Sequence, residues 1–384
     1  MQIHPTGFMA QFRHDCDVAL PTLIIERTVM SRYFTLIGSA VAVVLLAGCA
    51  AVQVREEGPA TAQKRTTGFM GLGTKDDIEV SYAPAFKGVT RVVIGGFKVG
   101  FNDSKKFSQT SSGILSPATT ATALVDLEGI DSSVQQQITD KVYEEFVSYL
   151  KQKGFEVVPR EQFTSTPEYR AMTQSEFPFK VDQSGIFSSY GVGYYYSPTQ
   201  IGNKQIFFPG ENDADFFSTF GGTSSMQVSD KFSQDTDIRV LGVSLMLDFA
   251  GASEGAMFSS TRLEVGQLMS VDKGQIIISR ADKGIRTAQT GTVTLGQPVI
   301  SDKPFAKITN MTSDGDVAMQ ATANAFVGLL QGGLMGAVSQ QASQTREFVY
   351  DADPAAYTEA ALEALDKAND MLIDKMVGLR AGQS

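Results

Sequence analysis

Residues 33–48, YFTLIGSAVAVVLLAG, form an apolar run that stops at Cys49, the second and last cysteine of the chain. Arg32 and Arg27 lie just before it. The run falls short of the ~20 apolar residues that carry a helix across a bilayer. A positive start, a short apolar segment and small residues ahead of a cut make a secretory signal. That feature constrains everything downstream, because whatever precedes the cut is lost and the fold must be made by what remains. The alternative from the residues alone is a buried apolar helix that ends in Ala-Gly-Cys.

The end of the run, Leu46-Ala47-Gly48-Cys49, resembles the lipobox of bacterial lipoproteins. Such a box needs small residues that fit an extended chain into the peptidase cleft, and a thiol that receives a diacylglyceryl group. A signal begins near a chain start, yet residues 1–29 show neither period nor caps. Translation is therefore expected to begin at Met30, with 1–29 a start-site overcall, 30–48 the lipoprotein signal, 49–77 a flexible tether and 78–384 one α+β domain.

Removing residues 1–48 changes the inventory. His4, His14 and Cys16 go with them, and Arg13, Arg27 and Arg32 cancel Asp15, Asp17 and Glu26, so the remainder keeps the net charge of -10. No Ser-His-Asp or Cys-His machinery can be built without histidine. Zinc sites of the usual nitrogen and sulfur type are excluded, and no metal or cofactor is expected. The negative balance argues against nucleic acid, whose phosphates demand a basic footprint. A carboxylate-dependent hydrolase stays open through paired acids, although no pair stands out among 42 acidic residues. The expectation is a protein that binds rather than catalyses.

Along the chain, residues 50–75 are small and polar and read as the tether. RVVIGGFKVGF at 91–101 suits a buried strand. Residues 102–129, rich in Ser, Thr and Gly, read as a loop. Val134, Ile138, Val142, Phe146 and Leu150 recur at i, i+4 and make a helical face. Asp131 or Ser132 can cap its start and Gly154 its end, and Phe155 to Val158 is a short strand. Pro167 opens another short helix. Residues 177–232 form an aromatic- and Gly-rich insertion, in which Ile186, Tyr190, Val192, Tyr194 and Tyr196 share one parity. It reads either as irregular hairpins packed on the body or as an interaction or membrane-interface hairpin. Strands at about 237–295 read as an antiparallel meander, with DKG turns at Asp272–Gly274 and Asp282–Gly284. A helix from about 316, with Ser313 or Asp314 near its start, and a strand at 345–350 follow. The chain closes on a helix at 355–377, capped by Asp353 and opened by Pro354.

Gly328, Gly332 and Gly336 repeat at every fourth residue of the helix expected over 316–341. Each costs up to ~1 kcal/mol against alanine in a helix, a cost that close backbone approach would offset. Three readings stand: a helix pressed on the sheet, a helix between protomers, and a membrane-inserted segment resembling small-xxx-small interfaces.

The lipobox, the strand at 91–97, the helix 134–150 followed by KGFEVVPREQF, LGVSLMLDF and the strand pair VDKGQIIISRA resemble, in their order, a set of periplasmic lipoproteins that includes the curli secretion lipoprotein, with a related fold in the N-terminal domain of TolB. The resemblance implies an α/β unit followed by an antiparallel meander and packing helices, tethered by lipid on Cys49. Because Ala50 is not aspartate, the usual sorting rule implies the outer membrane, with the body facing the periplasm. The function expected is envelope assembly or secretion through binding and self-association, with other envelope proteins and a homo-oligomer as partners. The alternatives are a monomeric ligand- or partner-binding lipoprotein and the hydrolase.

Overall fold

A computed structural model describes residues 50–55, 60, 64–67, 73–111, 119–182, 191–211, 224–257, 260–282, 290–313, 315–316, 319–320 and 343–382. The chain divides into two units, Met1–Leu46 and Ala47–Ser384, and all described residues belong to the second. In chain order the elements are β1 (Ala50–Val54), β2 (Thr66–Thr67), β3 (Gly73–Thr74), β4 (Ile78–Ser81), β5 (Arg91–Asn102), β6 (Ser104–Ser111), β7 (Thr119–Glu128), α1 (Ser132–Gln152), β8 (Glu156–Val157), α2 (Glu161–Thr164), α3 (Pro167–Arg170), β9 (Ser175–Glu176) and β10 (Phe179–Asp182). They continue with β11 (Val192–Tyr196), β12 (Lys204–Gln205), α4 (Ser225–Thr236), β13 (Arg239–Met257), β14 (Ser260–Ile278), β15 (Gly291–Leu295), β16 (Val299–Ser301), β17 (Ala306–Asn310), β18 (Gln344–Ala352) and α5 (Pro354–Arg380). The class is α+β.

The main sheet runs β10-β11-β5-β13-β14-β15-β4, with β1 and β16 also on β14 and β8 on β5. The β5–β13 and β1–β14 pairings are parallel. β13 and β14 pair antiparallel from Leu241↔Ile278 to Met257↔Ser260. At ~3.3 Å per residue, each of these 19-residue strands spans about 60 Å. A second sheet runs β17-β18-β7-β6, with β18 parallel to β7.

The helices form where the period demanded. Asp131 caps α1 by accepting from the Ser133 and Val134 amides, and Ile138, Val142, Phe146 and Leu150 are buried. Gly154 takes φ 82 after it, the left-handed stop that favours glycine. Asp353 accepts from the Ala356 amide, Pro354 opens α5, and Ala361, Leu365, Ala368, Leu372 and Met376 are all buried. These faces meet β5, β13 and β14 in the main core, together with Phe348 and Tyr350 of β18. The opposite face of the sheet buries Val93 and Val240 under Phe163, Tyr169, Phe208 and Phe232. A register shift at Gly95-Gly96 keeps Val92 and Ile94 before it and Phe97, Val99 and Phe101 after it on the same face, in the main core. A Cβ on Gly95 would sit 2.5 Å from Val240 Cγ1.

Three expectations change. Residues 102–129 are not a loop over their described part: β6 and β7 form a hairpin from Ser104↔Asp126 to Ser111↔Thr119. Ala121, Ala123 and Val125 face the core, while Ser108–Thr122 and Thr110–Thr120 pair hydroxyls on the outer face. Alternation of small residues and threonine gave the strand its two faces without the bulky residues that mark strands. DKG at Asp272–Gly274 is not a turn. It lies within β14, where Met246 pairs Lys273 and Leu247 pairs Val271, which leaves Asp272 as a bulge. The expected tether is attached to the body at its described residues: β1 pairs β14, the Arg55 amide donates to the Val265 carbonyl at 2.8 Å, and the Ala60 amide to the Gln267 carbonyl at 2.7 Å. Farther on, the Gln297 side chain accepts from the Arg65 amide and donates to the Lys75 carbonyl, both at 2.8 Å. The physical reason is the exposed edge of β14, whose unpaired amides and carbonyls accept a passing strand.

Candidate functional site

Leu46, Ala47, Gly48 and Cys49 lie outside the described residues, as do Gly328, Gly332 and Gly336. The chain that follows each set is described, and the two following segments come together at one place. β1 starts at Ala50 with the register Ala50↔Thr261 through Val54↔Val265. The Val52 amide donates to Gln344 Oε1 at 2.8 Å, and the Thr120 amide donates to Ser343 Oγ at 3.2 Å. Val52 itself is buried, and Arg262 on β14 donates to Gln53 Oε1. The residue after the lipobox and the residues that follow the glycine segment therefore meet on one stretch of the body. Before that segment, Ser313 and Asp316 form a reciprocal cap: the Asp316 amide donates to Ser313 Oγ and the Ser313 amide to Asp316 Oδ2. This agrees with a helix start near Ser313; residues 315–316 and 319–320 are helical.

The described aromatic residues of the 177–232 insertion pack on the body. Tyr195, Tyr196, Phe208 and Phe232 are buried. Phe177, Phe179 and Phe207 stack in a triangle with centroids 5.0 to 6.1 Å apart. Beneath them lies a feature that sequence reasoning missed. Lys98 of β5 is fully buried and donates to Glu211 Oε2 at 2.6 Å, and Glu211 is fully buried too. The ammonium sits 5.2 Å from the Phe207 ring centroid and 5.5 Å from that of Phe208. Glu211 Oε2 also accepts from the Phe208 amide at 2.7 Å, and Tyr195 Oη donates to the Glu211 carbonyl at 3.1 Å. Gln205 bonds both the amide and the carbonyl of Phe97. A dry charge pair ringed by aromatics is a clasp that holds residues 204–211 on β5. Its one sequence signal was Lys98 standing inside RVVIGGFKVGF, since a buried lysine requires a partner.

A second buried charge sits where β13 leaves β5. Asp248 accepts from Lys105 of β6 and from the Phe249 amide. Burial pushes its carboxyl above the usual range, and the Lys105 ammonium opposes that. Phe249 packs edge-on to Tyr350 at 5.5 Å, and burial raises the Tyr350 phenol. Lys105 also donates to the Ala250 carbonyl, so β6 lays a lysine across this stretch of β13.

On the helical layer, burial first, then the Glu145 carboxyl of α1, raises Asp366 of α5 to about 7. Among the described residues, no group of three or more His, Cys, Asp or Glu could hold a metal, and no helix is long and apolar enough to cross a membrane. No family model, curated protein or solved structure matches the chain.

Proposed function

We propose that this chain is a lipoprotein anchored through Cys49 in the bacterial outer membrane, facing the periplasm, and that it acts in envelope assembly or secretion by binding and self-association. The lipobox at Leu46 to Cys49 supports the anchor. Two or more acyl chains give stable attachment where one does not.

The observation that carries self-association is the outer edge of β13. Its inner edge pairs β14 as far as Met257, whereas β5 covers its outer edge only from Arg239 to Leu247. Among the described residues no strand pairs that outer edge beyond Leu247; Asp248 to Gly251 are buried and Lys105 donates to the Ala250 carbonyl, which leaves Ala252 to Met257, a length of about 20 Å, without a partner strand. An open edge of this length is a template for a strand of another chain. The Asp248 bulge and Lys105 guard its start, a common device against indiscriminate pairing. The buried aromatic residues of the insertion favour this reading over monomeric ligand capture, which would need them at a surface.

The test is the mass of the lipidated protein in mild detergent. An oligomer is expected, and a monomer at all concentrations contradicts self-association. Cys49→Ser should abolish lipid labelling, and persistent membrane attachment of that variant would contradict the anchor.

A further inference from the structure

We infer that the end of the body where β1 begins lies against the bilayer, so that the turn end of the β13–β14 ribbon is held at the lipid headgroups. The inference rests on lipidation of Cys49 and adds an orientation to it. β1 runs parallel to β14 with Ala50 opposite Thr261. Ala50 directly follows Cys49 in the chain, and Thr261 directly follows Ser260, which pairs Met257 in the last rung of the ribbon. A strand advances ~3.3 Å per residue, and a thioether-linked glycerol adds only a few bonds, so the acyl chains start within about 10 Å of that rung. They must enter hydrocarbon, and they bring the rung with them.

The strand leaves no slack. A flexible segment over 50–75 would let the body wander by 5–6 Å × √n, or about 28 Å. Here the pairing of Ala50 to Val54 continues into the Arg55 and Ala60 amide bonds with Val265 and Gln267. The second sheet presents the same end. Gln344, which bonds Val52, opens β18 and is paired with Ala121 of β7, two residues from the Ser111↔Thr119 end of the β6–β7 hairpin. The start of β13 at Arg239 and α2 at Glu161–Thr164 lie at the far end, about 60 Å along the ribbon. The occupant of this end is the bilayer that holds the acyl chains of the same molecule. With a net charge of -10, the chain gains nothing from anionic lipid, so seating should not weaken with salt.

The mature chain has no cysteine except the acylated Cys49, which allows a direct test. The lipidated protein carrying Ser260→Cys, or Arg262→Cys as a second variant, is labelled with an environment-sensitive fluorophore and placed in phosphatidylcholine vesicles bearing headgroup nitroxides. A control label goes on Gln162→Cys, an exposed residue of α2. The label at 260 or 262 should lose most of its fluorescence, the label at 162 almost none, and the loss should persist in high salt. Equal quenching at both ends, or none at 260 and 262, overturns the orientation. Intact mass of the same samples separates the two claims: acylated protein without quenching refutes the orientation alone, whereas protein without acyl chains refutes the anchor and the orientation with it.

Discussion

The two halves of the β13–β14 ribbon are built from one pair of strands and face opposite circumstances. In the near half, Val240 to Leu247 are buried without a break. Leu241, Val243, Leu245 and Leu247 pack on the helical side, and Val240 and Met246 on the other. β5 pairs one edge and β14 the other, so the segment reads as a continuous apolar run, as strands covered on both faces do. In the far half, DFAGASEGAM, large side chains give way to Gly, Ala and Ser, and the outer edge has no partner strand among the described residues. The same hydrogen-bonding ladder is thus paired on both edges in the near half and, among the described residues, on one edge only in the far half. The difference lies in what flanks the strands, not in the strands.

Each half contains a buried ion pair, and breaking them is the harshest test of that contrast. Lys98–Glu211, sealed in the near half, should cost about 3–5 kcal/mol in Glu211→Ala, because a buried ammonium loses its counter-charge. Lys105→Met in the far half strands Asp248, but Lys105 retains 11% side-chain exposure, and water can reach the site, so a loss of about 2 kcal/mol is expected. Urea unfolding of the two variants measures both, and equal losses would erase the distinction.

Glycines sharpen the comparison at a smaller scale. A Cβ on Gly242 would meet Phe208 Cδ2 at 2.5 Å and Ile277 Cγ2 at 2.9 Å, within the packed half. Gly242→Ala should therefore cost about 1–3 kcal/mol by overpacking. In the far half, a Cβ on Gly251 meets Leu268 Cδ2 at 2.7 Å and the Cβ atoms of Ala60 and Leu268 at 3.1 Å, and a turn of the Leu268 side chain relieves the shortest of these. Gly251→Ala should cost under ~1 kcal/mol, as thermal unfolding will report.

The helices that back the near half add a smaller, pH-dependent effect. Asp366 is raised to about 7 by burial and by Glu145, with Asp370 acting in the same direction and Lys141 against it. Lys153 and Tyr149 nearby engage Asp374. A raised acid favours the protonated form, so its support for the fold is complete below its ordinary value near 4 and is lost as pH climbs through about 7. Solvent reaches this pair, so the change is on the order of 1 kcal/mol after screening. Asp366→Asn should flatten the stability profile between pH 4 and about 7 and raise stability at pH 8. A profile as steep as that of the parent would contradict the raised acid.

The parts of this fold that were legible in the sequence carry their own local reasons. α1 and α5 announce themselves by period and caps, and β5 and β18 by apolar runs. The rest depends on partners distant in sequence. Ala121, Ala123 and Val125 do not look like a strand until the core lies against them. Asp272-Lys273-Gly274 has turn chemistry, yet pairing with Met246 and Leu247 absorbs it as a bulge. Residues 50–54 look like linker because their strand exists only on the edge of β14, more than 200 positions away. Lys98 could signal a buried partner but could not name Glu211. Of the nominated site residues, Leu46, Ala47, Gly48, Cys49 and the three glycines are marked by motif alone, and the structure describes the chain that follows each set.

The central claim is that Ala50 begins a strand and not a tether. Amide hydrogen exchange of the full protein in detergent tests it most directly. The account predicts that the amides of Val52, Arg55 and Ala60, which donate to Gln344, Val265 and Gln267, exchange as slowly as those of the adjoining part of β14. Exchange of these three amides at the rate of an unstructured chain, with β14 still protected, would contradict it.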